Sequence, residues 1–244
     1  MPALTVVLLL VTGVVAGFIN TVAGGGSVVA LPVLVEVVGA SVANGTNRIA
    51  ILMQNIVGSI SFHRGGKVPW RLVRAILLPT VAGAAVGAWV ATQIPADVMK
   101  RIFGLVIVLV ALSVLVGPSK WMGEGEPRLR EPWRSATFFG IGLYGGFVQA
   151  GVGFLLLAGL VLGSGLGLVK GNGAKVVTIL VYTPVTLFFF ASASQVDLKV
   201  GVILGLGNMT GAFIASRLAI KKGAGWIRWV LVVAAVAAAL RMVL

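Results

Sequence analysis

Long apolar runs follow one another along the chain, separated by short polar or glycine-rich breaks. A run of about 20 apolar residues is long enough to cross the hydrocarbon core of a bilayer as a helix. The pattern predicts about ten transmembrane or re-entrant helices, near residues 2–19, 27–40, 46–63, 70–93, 97–117, 134–149, 152–169, 174–193, 198–219 and 224–243. The runs 27–40 and 152–169 are shorter or more often broken by glycine, which is typical of half-helices that reach only the membrane midplane.

The two halves of the chain repeat each other weakly. A shift of 128 residues places Gly25 on Gly153 and Asn44 on Asn172. Single matches are common in a chain so rich in glycine and valine. The coincidence of the glycine-rich breaks and of the polar breaks is the better indication of an internal repeat.

Comparison of the two halves shows an exchange in which loop carries the basic residues. They concentrate in residues 64–74 of the first half but one loop later, in residues 217–228, of the second. Because Lys and Arg mark cytoplasmic loops, this exchange predicts that the halves are inverted in the membrane. We expect an all-α integral membrane protein with two inverted-topology repeats of five segments, 1–117 and 134–244, joined by a cytoplasmic linker at 118–133. Both termini then lie outside the cytoplasm.

Composition supports a membrane protein and argues against other classes. Of the 244 residues, 59% are hydrophobic and 10% are charged, and the mean hydropathy is +1.09, which is too apolar for a soluble domain. The net charge of +13 is explained by basic residues in the short cytoplasmic loops, so no nucleic-acid partner is expected. The chain has no cysteine and one histidine, and no nucleophile, acid pair or metal set lies in the apolar runs. We therefore expect no enzyme activity, no metal and no cofactor.

A glycine-dense break separates the first two apolar runs and has a weaker counterpart in the second half. Helix N-termini carry unpaired N–H groups and a partial positive charge, which makes them suited to anions. Close helix packing remains the alternative, and it is the interpretation favoured for Gly-x-x-x-Gly pairs such as Gly13 and Gly17. The candidate substrate-binding residues at the two breaks are Asn20, Gly24, Gly25, Gly26 and Ser27, with Gln149, Gly151 and Gly153.

A second polar break combines amides with a cation in each half. A cation beside amide groups suits an oxyanion, through charge-assisted hydrogen bonds. The alternative is that both cations reach to the membrane surface from helix ends. Gln54, Asn55, Tyr182 and Thr183 lie farther along, where they line the path or bond neighbouring helices. The candidate substrate-binding residues here are Asn44, Gly45, Thr46, Asn47 and Arg48, with Asn172 and Lys175.

These motifs resemble a known family. The segments GFINTVAGGGSVVALPVL and ANGTNRIA, repeated more weakly as GFVQAGVGFLLLAGL and KGNGAKVV, resemble the sulfite exporter TauE/SafE family over nearly the whole chain. The resemblance implies a multi-pass carrier of small sulfur-containing anions in the bacterial inner membrane. The second half departs from the family's doubled glycine motif, having Gly-Val-Gly at 151–153.

The expected function is therefore transport of sulfite or a related organosulfonate, with export driven by the membrane potential. The alternatives are an uptake permease for thiosulfate or a sulfonate, and proton-coupled anion transport. Apart from Asp97 at the very start of a run, the only acid inside an apolar run is Glu36, near the end of a short segment, where an interfacial position explains it. The expected partners are the anionic substrate and the lipid bilayer, and a homo-oligomer is left open.

Overall fold

The computed structural model describes the backbone of residues 1–115 and 125–243, and the side chains of 1–106, 125–223 and 225–226. Within these ranges the fold is all-helical. A π-helical turn, Gly159–Gly163, continues the seventh helix. The nine α-helices are α1 (Ala3–Val22), α2 (Ser27–Val38), α3 (Ala40–Arg64), α4 (Trp70–Thr92), α5 (Ala96–Leu115), α6 (Trp133–Phe147), α7 (Val152–Ala158), α8 (Leu168–Ser192) and α9 (Leu198–Val243).

The predicted count of ten helices is not confirmed, because the last two apolar runs are joined as α9, whose two helical stretches meet at a kink. The backbone of α9 leaves helical geometry only at Gly223, with φ 73° and ψ −162°, a conformation that glycine adopts readily. Helices α3 and α8 also begin earlier than predicted, at Ala40 and Leu168. The second polar break of each half is therefore helical, and most of its side-chain hydrogen bonds reach other elements.

By length and hydropathy, four of the described helical stretches could cross a membrane: Ala3–Val22, Trp70–Thr92, Leu168–Ser192 and Leu198–Gly223. Helix α3 has 25 residues but is not among them, because its buried amides and Arg48 lower its hydropathy. Helices α2 and α7 are shorter apolar helices, as the sequence pattern predicted.

Helix α2 turns back along α1. The backbone of Gly26 lies so close to α1 that an added Cβ would overlap the carbonyl oxygen of Ala16. Farther along, Leu31 and Leu34 belong to the same buried cluster as Leu9. Helix α2 therefore returns to the face of the molecule at which α1 begins.

Glycine contacts show the relative directions of the longer helices. An added Cβ at Gly13 of α1 would overlap Leu204 of α9, and one at Gly17 would overlap Asn208, so α1 and α9 are parallel. Contacts of Gly201 with Ile49 and of Gly205 with Met53 make α3 parallel to α9. The prediction that Gly13-x-x-x-Gly17 mediates close helix packing is confirmed.

Helices α4, α6 and α8 run in the opposite direction. Glycine contacts hold α4 parallel to α6, since Gly83 meets Phe139 and Gly87 meets Leu143. Helix α3 is antiparallel to α8, because Gly45 lies at Phe190 near the end of α8, whereas Gly58 contacts Val176 near its start. Helix α4 is parallel to α8, since Gly173 near the start of α8 lies against Lys67, just before α4, and Gln195, just after α8, donates to the Thr92 carbonyl oxygen at the end of α4. Consequently α1, α3 and the first part of α9 point one way, and α6, α8 and α4 point the other.

Candidate functional site

The candidate residues lie in the interior of the helix bundle. Asn20 is 7% exposed, Gln149 is 2% exposed, and Arg48 and Lys175 are fully buried. Burial of two cations at this depth requires hydrogen-bond partners or counter-charges. The remaining candidates, all buried as well, are Gly24, Gly25, Gly26, Ser27, Asn44, Gly45, Thr46, Asn47, Gly151, Gly153 and Asn172.

The α1–α2 turn of the first half meets the α6–α7 turn of the second half. Gly24 has φ 92°, and its Cα lies against Gly153 so closely that a Cβ on either glycine would overlap the other backbone. Gly151 and Gln149 also have positive φ, 73° and 68°. The two glycine-rich breaks therefore bring the starts of α2 and α7 into contact, which only glycine at both positions permits.

Asn20 joins the α1–α2 turn to the neighbouring helices. Its Oδ1 accepts a hydrogen bond from the Gly26 backbone N–H at 2.7 Å, and its Nδ2 donates to Gln54 Oε1 of α3 at 3.3 Å. Beside it, Asn47 Nδ2 donates to Ser27 Oγ at 3.2 Å. The start of α2 is thus held by amide side chains from α1 and α3.

Arg48 of α3 binds the carboxyl end of α6. Its Nη1 donates to the Gly145 carbonyl oxygen and to Gln149 Oε1, both at 3.2 Å, and its Nη2 donates to the Gly146 carbonyl oxygen. Asn44, one turn earlier, donates to the Phe147 carbonyl oxygen at 2.8 Å. These carbonyls are the last of α6 and have no partner within their own helix. We call Asn44, Arg48, Gln149 and the carbonyls of 145–147 the Arg48 cluster.

Lys175 of α8 binds the carboxyl end of α1. Its Nζ donates to the carbonyl oxygens of Asn20 at 2.9 Å and Thr21 at 3.0 Å, and to Asn172 Oδ1 at 2.6 Å. We call Asn172, Lys175 and these two carbonyls the Lys175 cluster. Each half of the chain therefore places one cation on the negative end of a helix dipole belonging to the other half.

Within the described ranges, neither the Arg48 nor the Lys175 cluster has a carboxylate partner; Glu131 pairs instead with Arg134 at the surface. The Arg48 side chain also lies 4.5 Å from the centre of the Phe190 ring. The buried polar atoms without a hydrogen-bond partner include two N–H donors, Arg48 Nε and Asn172 Nδ2, beside the Ser59 hydroxyl and the amide oxygens of Asn47, Asn55 and Asn208. The interior thus carries positive charge and free donors without a negatively charged side chain opposite.

Comparison with known proteins identifies the chain's relatives. The family model described as "Sulfite exporter TauE/SafE" matches residues 9–242. The chain belongs to the sulfite exporter TauE/SafE family.

Curated relatives of this TauE/SafE protein are named as probable membrane transporters. The "Probable membrane transporter protein ORF9" of Sinorhizobium sp is 32% identical over 96% of this chain and 90% of its own length. A "Probable membrane transporter protein" of Haemophilus influenzae is 26% identical over 93% and 89%, and YfcA of Escherichia coli K12 is 28% identical over 89% and 82%. No solved structure is significantly similar to the chain. Family and relatives together indicate a multi-pass membrane transporter rather than an enzyme.

Two candidate residues of this TauE/SafE protein face away from both clusters. Thr46 Oγ1 accepts a hydrogen bond from the Asp197 N–H at 2.8 Å. Gly45 lies against the Gln195 carbonyl oxygen, which a Cβ would overlap. Both therefore contact the connection between α8 and α9, and the Thr46 hydroxyl bonds there rather than within the Arg48 or Lys175 cluster.

Among the buried amide side chains of the described residues, one was missed in the sequence. Asn208 of α9 is fully buried and donates to Gln54 Oε1 at 3.3 Å, so Gln54 bridges α1, α3 and α9. A polar residue within an apolar membrane run is a functional candidate by default, and that signal would have found it. Of the deeper polar residues named from the sequence, Tyr182 donates to Gln149 at 3.3 Å, whereas Thr183 bonds the Ile179 carbonyl of its own helix.

Proposed function

We propose that this TauE/SafE protein carries sulfite or a related organosulfonate across the bacterial inner membrane, and that export is driven by the membrane potential. The observation that carries the proposal is the burial of Arg48 and Lys175 without a carboxylate partner in the described ranges. Buried charges are ordinarily paired, because an ion loses its hydration on burial. A substrate anion would supply the missing negative charge.

The chemistry of the donors fits a sulfur oxyanion. Sulfite and sulfonates share an SO₃ group, whose three oxygens accept several hydrogen bonds at once. The Arg48 cluster offers a guanidinium with Nε unused, and Asn172 offers an unused amide nitrogen. Charge-assisted hydrogen bonds to such oxygens are stronger than neutral ones. The family description, which names sulfite export, supports the same substrate class.

The proposed carrier is built from two inverted repeats, residues 1–117 and 134–244, with both termini outside the cytoplasm. Helix direction supports this arrangement, since α3 and α8, which carry the matched Asn44 and Asn172, are antiparallel. The reciprocal bonds of Arg48 and Lys175 to helix ends of the opposite repeat support it as well. In inverted-repeat transporters the substrate site lies where broken helices of the two repeats meet.

The binding residues in this proposal are those of the Arg48 and Lys175 clusters, with Asn20, Gly24, Gly25, Gly26, Ser27, Asn47, Gly151 and Gly153 around the turns. Gly45 and Thr46 position α3 against the α8–α9 connection. All of them are buried, so we interpret this conformation as closed to both sides. Substrate entry then requires the two glycine turns to separate.

The direct test is flux into proteoliposomes holding the full chain, with sulfite, thiosulfate, sulfate, methanesulfonate and chloride offered in turn. We expect sulfite and the sulfonate to move fastest and chloride to remain at the level of empty liposomes. A double variant, Arg48→Gln with Lys175→Gln, serves as the reference for lost site charge. Equal rates for chloride and sulfite, or transport of sulfate alone, would contradict the proposed substrate class.

A further inference from the structure

A groove of about 290 Å³ lies between α3 and α9, away from the buried clusters. Its wall is apolar along most of its length, and two arginines stand at its end. The lining residues are Val57, Ile60, Ser61, Arg64, Phe213 and Arg217.

The parallel direction of α3 and α9 places both arginines at the same end of the groove. The contact of Gly65 with Ile220 shows that the two helices stay together beyond Arg64 and Arg217. Arg217 stacks over the Phe213 ring, 4.1 Å from its centre. Both arginines are exposed, and neither forms an ion pair within the described part of the chain.

The arginine end of the groove has the features of a membrane–water interface. Arg64 is the last residue of α3, and the neighbouring His63 ring packs edge-on against Trp70 at 5.5 Å between ring centres. Aromatic and basic residues of this kind collect at the lipid headgroup level. The apolar wall, Val57, Ile60 and Phe213, extends from this end toward the bilayer interior.

We propose that this groove binds one anionic phospholipid, with its phosphate between Arg64 and Arg217 and an acyl chain along the apolar wall. Two guanidinium groups that have no carboxylate partner among the described residues match a phosphate by charge and by hydrogen-bond geometry. The basic loops predict that this face is cytoplasmic, where anionic lipids attract basic side chains. A free phosphate would leave Val57, Ile60 and Phe213 uncovered, whereas a lipid covers both parts of the groove.

The proposal is tested by native mass spectrometry of the full chain in detergent, titrated with phosphatidylglycerol, with phosphatidylethanolamine of the same acyl chains, or with inorganic phosphate. We expect a phosphatidylglycerol adduct that neither of the other two reproduces. Arg64→Gln with Arg217→Gln should lower its association constant about tenfold or more, because two charge-assisted hydrogen bonds are lost. Phe213→Ala, which keeps both charges, should weaken the adduct severalfold.

The matched control is Arg71→Gln with Arg74→Gln, which removes two exposed arginines from the start of α4 and should leave the adduct unchanged. Equal loss in this control, or an unchanged adduct in the Arg64/Arg217 variant, would overturn the site. Equal binding of the two lipids would overturn the role of charge. Binding of inorganic phosphate as tight as that of phosphatidylglycerol would overturn the lipid as the occupant.

Discussion

Arg48 and Lys175 each bind the carboxyl end of a helix from the opposite half, but they differ in whether a donor remains unpaired. The Lys175 ammonium has three N–H donors, and their acceptors are on Asn20, Thr21 and Asn172. The Arg48 guanidinium keeps its Nε without a partner. We therefore expect Lys175 to act mainly by holding the end of α1, and Arg48 to contact the substrate as well as α6.

Removing the charge of Arg48 should weaken substrate binding strongly. A charged hydrogen bond contributes about 1.5–3 kcal/mol, so Arg48→Gln should raise the half-saturating anion concentration by about tenfold or more. Arg48→Lys should recover only part of the affinity, because the planar fork is lost. The concentration dependence of proteoliposome flux measures both, and near-normal affinity in Arg48→Gln would remove Arg48 from the site.

Lys175→Met should act first on stability. The carbonyl oxygens of Asn20 and Thr21 lose their partner in a buried position, at about 1–3 kcal/mol for each unsatisfied group. We expect a lower midpoint in thermal unfolding followed by tryptophan fluorescence. Lys199→Met, at an exposed position in the first turn of α9, is the matched control and should leave the midpoint within error. A Lys175→Met protein as stable as this control would contradict the structural role.

At the residue scale, the sequence identified most of the interior polar set but not how its members pair. Arg48 and Lys175 stood out because a cation beside amides in an apolar chain is rare. Besides the side chains of Gln149 and Asn172, their acceptors are backbone carbonyls of the opposite half. A carbonyl has no side-chain signature, so no residue pattern could indicate these partners.

At the element scale, the contact between the glycine turns determines how closely α2 and α7 approach. Gly153→Ala should force the two turns apart, because the new Cβ would overlap the Gly24 backbone. Overpacking of this kind typically costs about 1–3 kcal/mol. We expect a lower unfolding midpoint together with reduced flux.

The control for Gly153→Ala is Gly140→Ala. Gly140 also lies in a helix, but an added Cβ meets no atom within 4 Å, so alanine should be neutral or slightly stabilising there. If Gly153→Ala behaves like Gly140→Ala, the turns are not in the close contact described.

The elements also show where sequence patterns mislead. The sequence predicted breaks at the polar stretches 44–48 and 172–175, yet both are helical, and their side chains bond to α6, α1 and the α8–α9 connection. Tertiary hydrogen bonds here outweigh the local preference of Asn and Gly for turns. The short helices α2 and α7, in contrast, were predicted correctly from their flanking glycines and length.

At the scale of the whole molecule, the proposed inversion predicts opposite accessibility for two loops. Gly66 follows α3 and Ser194 follows α8, and both are exposed. A single cysteine at Gly66 should react with a membrane-impermeant thiol reagent from the cytoplasmic side, and one at Ser194 from the outside. The chain has no native cysteine, so the background is clean. Labelling of both positions from one side would contradict the inverted repeat.

The membrane class and the family could be predicted because hydropathy and the glycine motifs are local properties of the chain. The helix count could not be predicted, because the final two runs differ from one continuous helix only in the conformation of Gly223. A single glycine gives no sequence signal that separates a kink from a loop.

The energetics of the proposed transport follow from charge. Moving one negative charge out of an inside-negative cell gains about 2.3 kcal/mol per 100 mV, so a dianion gains about 4.6. This free energy supports an anion concentration gradient of more than about a thousandfold, so export then needs no coupling ion. Glu36 is exposed and lines an outer groove with Lys100, rather than lying in the interior where a proton carrier would be expected.

The most direct test is sulfite flux in proteoliposomes whose potential is clamped with potassium and valinomycin. We predict that flux follows the imposed potential, is unaffected by a pH gradient at zero potential, and persists in Glu36→Gln. Flux that ignores the potential, follows the pH gradient and disappears in Glu36→Gln would contradict electrogenic, uncoupled anion export.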